Sequence, residues 1–293
     1  MNLKILYRGS LASCNYGCPY CPFAKQKDTP ADHRRDAAAL QRFTNWAMIQ
    51  PHTLGILFTP WGEALHLHRY QQAIIQLSNA PNIEKVSIQT NLSCRLNWIE
   101  QCDKSALALW TTYHPGEVSR ERFLAQVKEA DRRGVALSVG VVGLQEHAEE
   151  IAALKNALPP HIYLWINAYK RVPNYYTPEM LAQYTAVDPL FPINNMHHPS
   201  LGLPCRAGES VFSVDGEGTM YRCHFIRQPI GSIYEDSWQD ALQPRLCTNA
   251  TCHCHIGYIH MPYLKLYETF GEGVLERIPK GTHRRDAPLE RLP

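Results

Sequence analysis

Two hydrophobic periods take turns along the first part of the chain. The runs LKILYR (3–8), GILFTP (55–60), KVSIQTN (85–91), ALALWTTYH (106–114), VALSVGVV (135–142) and IYLWINAY (162–169) are rich in β-branched and aromatic residues and read as strands. Between them lie stretches of helical period: about 32–49, about 68–77, a short one near 96–102, SRERFLAQVKEADRRG with Gly134 as its C-terminal stop, and EHAEEIAALKNAL. Strands alternating with helices predict a parallel sheet built from six strand-helix units. A closed barrel of eight units takes ~250 residues, and here the pattern is finished near Arg171. The expected fold class is therefore α/β, an open, partial (β/α)6 TIM-type barrel.

Beyond Arg171 the pattern changes to RVPNYYTPEM, rich in Pro, Tyr and Asn, and the next ordered piece is ESVFSVDGEGTMYRCHF. Two runs of Val, Phe and Tyr around DGEG predict a β-hairpin, with Gly supplying the positive φ of the turn. The expected division is a core over 1–175 and a small cysteine-rich extension with tail over 176–293.

Composition narrows the class of function. Of 293 residues 45% are apolar and 19% charged, ordinary values for a folded soluble chain. The formal charge of +2 comes from scattered Lys and Arg, so no nucleic-acid footprint stands out. MNLKILYRGS lacks the apolar core of a signal peptide, and no run approaches the roughly 20 apolar residues of a membrane span. A cytoplasmic protein without membrane or nucleic-acid partners is expected, with THRRDAPLERLP a solvated terminus. In a reducing compartment ten cysteines point to metal ligation or catalysis rather than disulfides.

Three of them, Cys14, Cys18 and Cys21, fall within CNYGCPYC directly after the first strand. That places them in a βα loop at the C-terminal face, where α/β sheets bind ligands. Thiolates suit zinc and iron-sulfur clusters. A structural zinc needs a fourth ligand from elsewhere, whereas a cubane that usually takes four cysteines is left by three with one iron open to a cofactor or substrate.

CNYGCPYC resembles the CxxxCxΦC signature of radical S-adenosylmethionine enzymes, with Tyr20 as the aromatic residue. The resemblance implies a partial (β/α)6 barrel and a 4Fe-4S cluster whose open iron chelates S-adenosylmethionine. It further implies reductive cleavage of that cofactor to a 5′-deoxyadenosyl radical, which takes hydrogen from a substrate. TPWGEAL matches the family's GGE at Gly62 and Glu63, which would hold the methionyl amino group; Trp61 replaces the first Gly. VGVVGLQE offers Val141, Gly143 and Glu146 for GxIxGxxE, with Val141 set to pack on adenine and Val139 where the first Gly belongs. By the period of two, Ser87, Gln89 and Asn91 share one face, as do Trp165, Asn167 and Tyr169. Asn91 and Asn167 are the expected cofactor contacts. His114, at the end of the fourth strand, is a candidate for proton transfer beside the plainer reading of a packed imidazole.

Cys205, Cys223, Cys247, Cys252 and Cys254 form a second group. Cys205 and Cys223 flank the hairpin in a way that resembles the SPASM and twitch extensions, which bind auxiliary 4Fe-4S clusters. One such cluster on Cys205, Cys223, Cys252 and Cys254 is expected, with Cys247 in competition. Zinc stays open there because His253 and His255 interleave with the thiols. The implied partners are a reductant such as flavodoxin or ferredoxin and a peptide or small-molecule substrate. A separate substrate-presenting protein is expected if the substrate is a peptide, since the first strand opens at Leu3. The other class of function is a non-catalytic zinc or iron-sulfur scaffold acting through protein contacts. Cys94 and Cys102 read as buried apolar thiols.

Overall fold

A computed structural model of the chain describes residues 1–23 and 26–282. Six parallel strands lie side by side in chain order: β1 (Asn2–Gly9), β2 (Thr53–Phe58), β3 (Ile83–Thr90), β4 (Leu107–Tyr113), β5 (Ala136–Gly143) and β6 (Leu164–Ala168). Helices α1 (Pro30–Met48), α2 (His68–Ser78), α3 (Arg120–Arg132) and α4 (Ala148–Ala157) make the crossovers, except that β3 and β4 are joined through a 3-10 segment, Asn97–Gln101. Helix α5 (Pro178–Val187) follows β6. The starts and stops are written locally. The Thr29 hydroxyl accepts from the Asp32 amide in a full capping box, the Ser119 hydroxyl caps α3, and Gly134 takes φ +78° just beyond the end of α3.

β6 ends the sheet and does not pair back to β1, so the barrel is open as expected. Each strand presents alternate side chains to two cores. Leu3, Ile5, Tyr7, Val139 and Val141 pack outward with Phe43, Leu77, Phe123 and Leu154 of the helices. Leu6, Leu57, Trp110 and Trp165 point into the bore, where they meet Val211, Ile256 and Leu275.

The second part of the chain forms β7 (His198–Pro199), β8 (Pro204–Cys205), β9 (Val211–Asp215), β10 (Thr219–Cys223), β11 (Ile226–Ser232), β12 (Arg245–Leu246) and β13 (Thr251–Cys252). The predicted hairpin is β9–β10, closed by Asp215, whose Oδ1 accepts from the amides of Glu217 and Thr219. It is not a free appendage. β9 runs parallel against β1, and the whole forms a nine-stranded sheet in the order β11-β10-β9-β1-β2-β3-β4-β5-β6. Phe212, Val214, Met220, Ile233 and Trp238 accordingly belong to the main outer core.

Near its end the chain enters the N-terminal half of the bore. Ile278 packs on Ala108 and Ala136, the Ser138 hydroxyl donates to the Glu276 carbonyl (2.6 Å), and Lys85 pairs with the Glu276 carboxylate (3.0 Å). A Cβ on Gly55 would stand 3.0 Å from Leu275. The basic tail, apart from Thr282, lies outside the described residues. Among the described residues no helix is long and apolar enough to cross a membrane.

Candidate functional site

The C-terminal ends of the strands surround a cavity of about 500 Å³, a size suited to a cofactor or small ligand. Cys14, Cys18 and Cys21 all line it, as do Tyr20, Gly62, Glu63, Asn91, His114 and Asn167. The sequence thus brings the expected loop and strand-end residues to one place.

The cysteine loop is held from below by backbone. A Cβ on Gly62 would fall 1.6 Å from the Ser13 carbonyl oxygen and 3.1 Å from the Cys14 amide, so only Gly admits this approach of the two loops. The neighbouring Glu63 amide donates to the Ser13 carbonyl (3.2 Å). Asp28 ties the loop's entry by accepting from the Ala12 and Ser13 amides and the Ser13 hydroxyl. On the far side, the Asn91 amide group donates to Asn15 (2.9 Å), and Asn15 donates to the Ser93 hydroxyl (2.9 Å). The end of β3 therefore positions the segment between Cys14 and Cys18.

Glu63 is buried, and its carboxylate accepts from the Thr90 hydroxyl (2.8 Å) and the Asn91 and Leu65 amides (2.6 and 3.1 Å). Burial pushes its pKa up to about 7 against those hydrogen bonds, so the group is poised to ionise when a cation arrives. His114 belongs to the cysteine loop more than to the open cavity: its Nδ1 meets the Tyr20 hydroxyl (2.9 Å) and the Cys18 thiol (3.4 Å). Burial holds it neutral, with a pKa near 4. That arrangement suits a fixed hydrogen-bond partner of Tyr20 rather than a proton carrier. Asn167 and Tyr169 face the cavity from the end of β6, with Trp165 deeper on the same face.

One assignment is corrected. Val141 is fully buried in the outer core and does not reach the cavity; Val142 does. The inward face of β5 is Ser138, Gly140 and Val142. Ser138 accepts from the Trp165 Nε1–H (3.2 Å), and the Trp165 indole occupies the space a Gly140 Cβ would need, 1.9 Å away.

The later cysteines also converge. Two short ribbons, β7–β13 and β8–β12, set Cys252 opposite His198 and Cys205 opposite Arg245, while Cys223 ends β10. The Cys252 thiol is raised to about 12, first by burial and then by the charge of Cys254, Cys223, Cys205 and, most weakly, Cys247. Gly257 allows this packing, since its Cβ would stand 2.8 Å from the Cys252 sulfur. Cys254 also lines the cavity, so the second group borders the first site. Cys94 and Cys102 are buried in the outer core.

The donor set at both places is thiolate, the chemistry that suits iron-sulfur clusters. Among the described residues no three or more His, Cys, Asp or Glu side chains are arranged to hold a metal ion. The three loop thiols open onto one cavity without meeting at a point, and a cubane takes its thiolates at separate corners.

Sequence reading missed the cationic wall. Arg8, Lys170, Arg171 and Arg277 line the cavity, with Glu63 the one carboxylate among the described lining residues. Arg8 lies over the Trp61 ring (4.0 Å). Its inward direction was available from Leu6 and Arg8 sharing one face of β1. Lys170 donates to the carbonyls of Asn194 and His253, and burial lowers its pKa to about 8. Nothing local in the sequence marks Arg277.

The chain has the radical S-adenosylmethionine fold, the partial barrel with the three-cysteine loop after its first strand. Among solved structures it aligns with native anSMEcpe with bound AdoMet and Kp18Cys peptide at TM-score 0.58 and 13% identity, over 95% of this chain and 98% of that one. The alignment with native anSMEcpe with bound AdoMet has TM-score 0.56 and 14% identity, over 82% and 80%. No family model matches the chain, and no curated protein does. At such identities the likeness is one of fold.

Proposed function

We propose that the protein is a radical S-adenosylmethionine enzyme acting on a peptide or small-molecule substrate. The observation that carries the reading is the loop of Cys14, Cys18 and Cys21 opening onto the strand-end cavity, with Gly62 and Glu63 directly behind it. Those three thiolates would hold a 4Fe-4S cluster with one iron left for the cofactor. The chemistry supplied when both groups are bound is one-electron reductive cleavage of S-adenosylmethionine to a 5′-deoxyadenosyl radical that abstracts hydrogen. The chain's own residues bind and orient. Glu63, ionised by a neighbouring cation, would accept the cofactor's ammonium. Asn167, with Val142 beside it, would bound the nucleoside. Trp61, Phe23 and the extension's Phe225 are exposed aromatic residues lining the cavity and would shield the reacting centre from water once substrate covers them.

For the second group we propose one auxiliary cluster on Cys205, Cys223, Cys252 and Cys254. The placement of Cys254, Cys223 and Cys205 close enough to raise the buried Cys252 thiol supports these four. Electrons would come from a reductant such as flavodoxin or ferredoxin.

The test is anaerobic reconstitution, iron and sulfide counting, and assay for 5′-deoxyadenosine after reduction with dithionite. The reading expects nucleoside from the wild type and none from Cys18→Ala. A wild type holding intact clusters and forming no nucleoside would favour the scaffold reading instead.

A further inference from the structure

The floor of the cavity holds a cation that no carboxylate pairs with among the described residues. Arg277 is 1% exposed, and among the described residues it makes no ion pair or hydrogen bond. Its guanidinium lies 4.4 Å over the Trp165 ring and 6.0 Å from that of Trp110. Trp110 stands edge-on to Trp165 (5.6 Å) and to His255 (5.4 Å). Three nitrogens of this cluster, Arg277 Nε, Trp110 Nε1 and His255 Nε2, are buried without a hydrogen-bond partner, and all three residues line the cavity. A buried unpaired polar group costs about 1–3 kcal/mol, and a buried unpaired charge more. Three at one spot, one of them charged, mark a place built for something that arrives.

The backbone points the same way. Arg277 has φ +58°, the left-handed region that a side-chain-bearing residue enters at a cost, and strain of that kind gathers at ligand sites. The flanking residues fix it, through Ser138 to the Glu276 carbonyl and Lys85 to the Glu276 carboxylate. Glu276, the nearest carboxylate in sequence, makes no ion pair with Arg277: its Oε1 pairs with Lys85, and its Oε2 is buried without a hydrogen-bond partner. Water could supply hydrogen bonds here but no charge. Arg8 and Lys170 add positive charge on the same wall, and Glu63 is occupied by the end of β3.

We propose that this floor seats an anionic group of the substrate, a carboxylate or a phosphate, gripped by Arg277 with the unpartnered nitrogens of Trp110 and His255 beside it. The inference deepens the function proposed above and rests on it for the word substrate. Depth fits the role. On the inward face of β4, Trp110 lies four residues before His114, roughly 13 Å along the strand from the cysteine loop. An anion held there leaves the remainder of the molecule to extend up the bore toward the site of hydrogen abstraction. A planar guanidinium stacked on indole and offering parallel N–H groups is the side chain suited to a forked oxyanion.

The experiment is thermal unfolding of the reconstituted protein saturated with S-adenosylmethionine, so that the cofactor's own carboxylate is already in place. The probes are succinate, inorganic phosphate and neutral succinamide at matched ionic strength. Succinate or phosphate is expected to raise Tm by about 1–2 °C beyond succinamide at several times its Kd, and the larger rise names the group. The general stabilisation by excluded anions is common to wild type and variants and drops out of the comparison. Arg277→Gln is expected to lose the rise and Arg277→Lys to keep part of it. Trp110→Phe, which keeps the ring and removes one donor, should diminish it if the Gln variant does not fold. The proposal is overturned by an undiminished rise in Arg277→Gln, or by no rise with either anion in the wild type. Loss of one cluster's iron in Arg277→Gln would also overturn it, by making Arg277 a counter-ion of the thiolates. Failure of the function reads out separately: an anion-dependent rise in a protein that forms no 5′-deoxyadenosine supports the anion site and removes the enzyme.

Discussion

Gly62 and Glu63 carry the geometry of the cysteine loop, and each makes a prediction at the scale of one residue. With its Cβ 1.6 Å from a carbonyl oxygen, Gly62→Ala must push the Cys14 loop away. It is expected to lose iron from the first cluster and to cost about 1–3 kcal/mol in chemical denaturation. Glu63 has a pKa raised to about 7 by burial. On the proposed function a cofactor ammonium would bind its ionised form, so affinity for S-adenosylmethionine should be full above pH 7 and weaken below it, by up to about tenfold per pH unit. Isothermal titration between pH 6 and 8 measures this, and Glu63→Gln should flatten the profile. Most of this site was legible as residues. Cys14, Cys18, Cys21, Gly62, Glu63, Asn91 and Asn167 all line the cavity because loop position and strand parity are local properties. Arg277 was not legible, since it reaches the floor only through the path of the segment that enters the bore from its N-terminal half.

Among the elements, β5 shows how a one-residue error arises. Val139 and Val141 look like the inward face of an apolar strand, but in a sheet covered on both sides either parity is apolar. The decision falls to Gly140, which must face the bore because the Trp165 indole fills the space of its missing Cβ. Gly140→Val should therefore displace Trp165, destabilise the fold by about 2 kcal/mol or more, and change the near-ultraviolet circular dichroism. The strands and the capped helices were readable from period and caps. The pairing of β9 with β1 was not, because a parallel neighbour some two hundred residues away leaves no mark on the local pattern. The same holds for the division of the chain near 175, since β9–β11 share the sheet and core of the barrel.

At the level of the whole molecule, a formal charge of +2 conceals a sorting of charge. Surface carboxylates pair with surface cations, while four basic side chains, Arg8, Lys170, Arg171 and Arg277, line the cavity. The segment that supplies Arg277 is pinned by Lys85–Glu276, in which the Glu276 side chain is 3% exposed. Glu276→Ala leaves Lys85 unpaired beneath the bore and is expected to cost about 3 kcal/mol by denaturant titration. In the extension, Cys223→Ser should lower bound iron by one cluster, about four irons, whereas Cys247→Ser should leave the iron content near that of the wild type.

The central claim is an iron left open by the three-thiol loop, and Cys223→Ser, with its auxiliary ligand removed, isolates that site. Electron paramagnetic resonance of this variant, reduced and then given S-adenosylmethionine carrying a 17O-labelled carboxylate, tests the claim directly. The account predicts shifted g values and line broadening from the labelled oxygen. A reduced four-iron signal that S-adenosylmethionine leaves unchanged would contradict it.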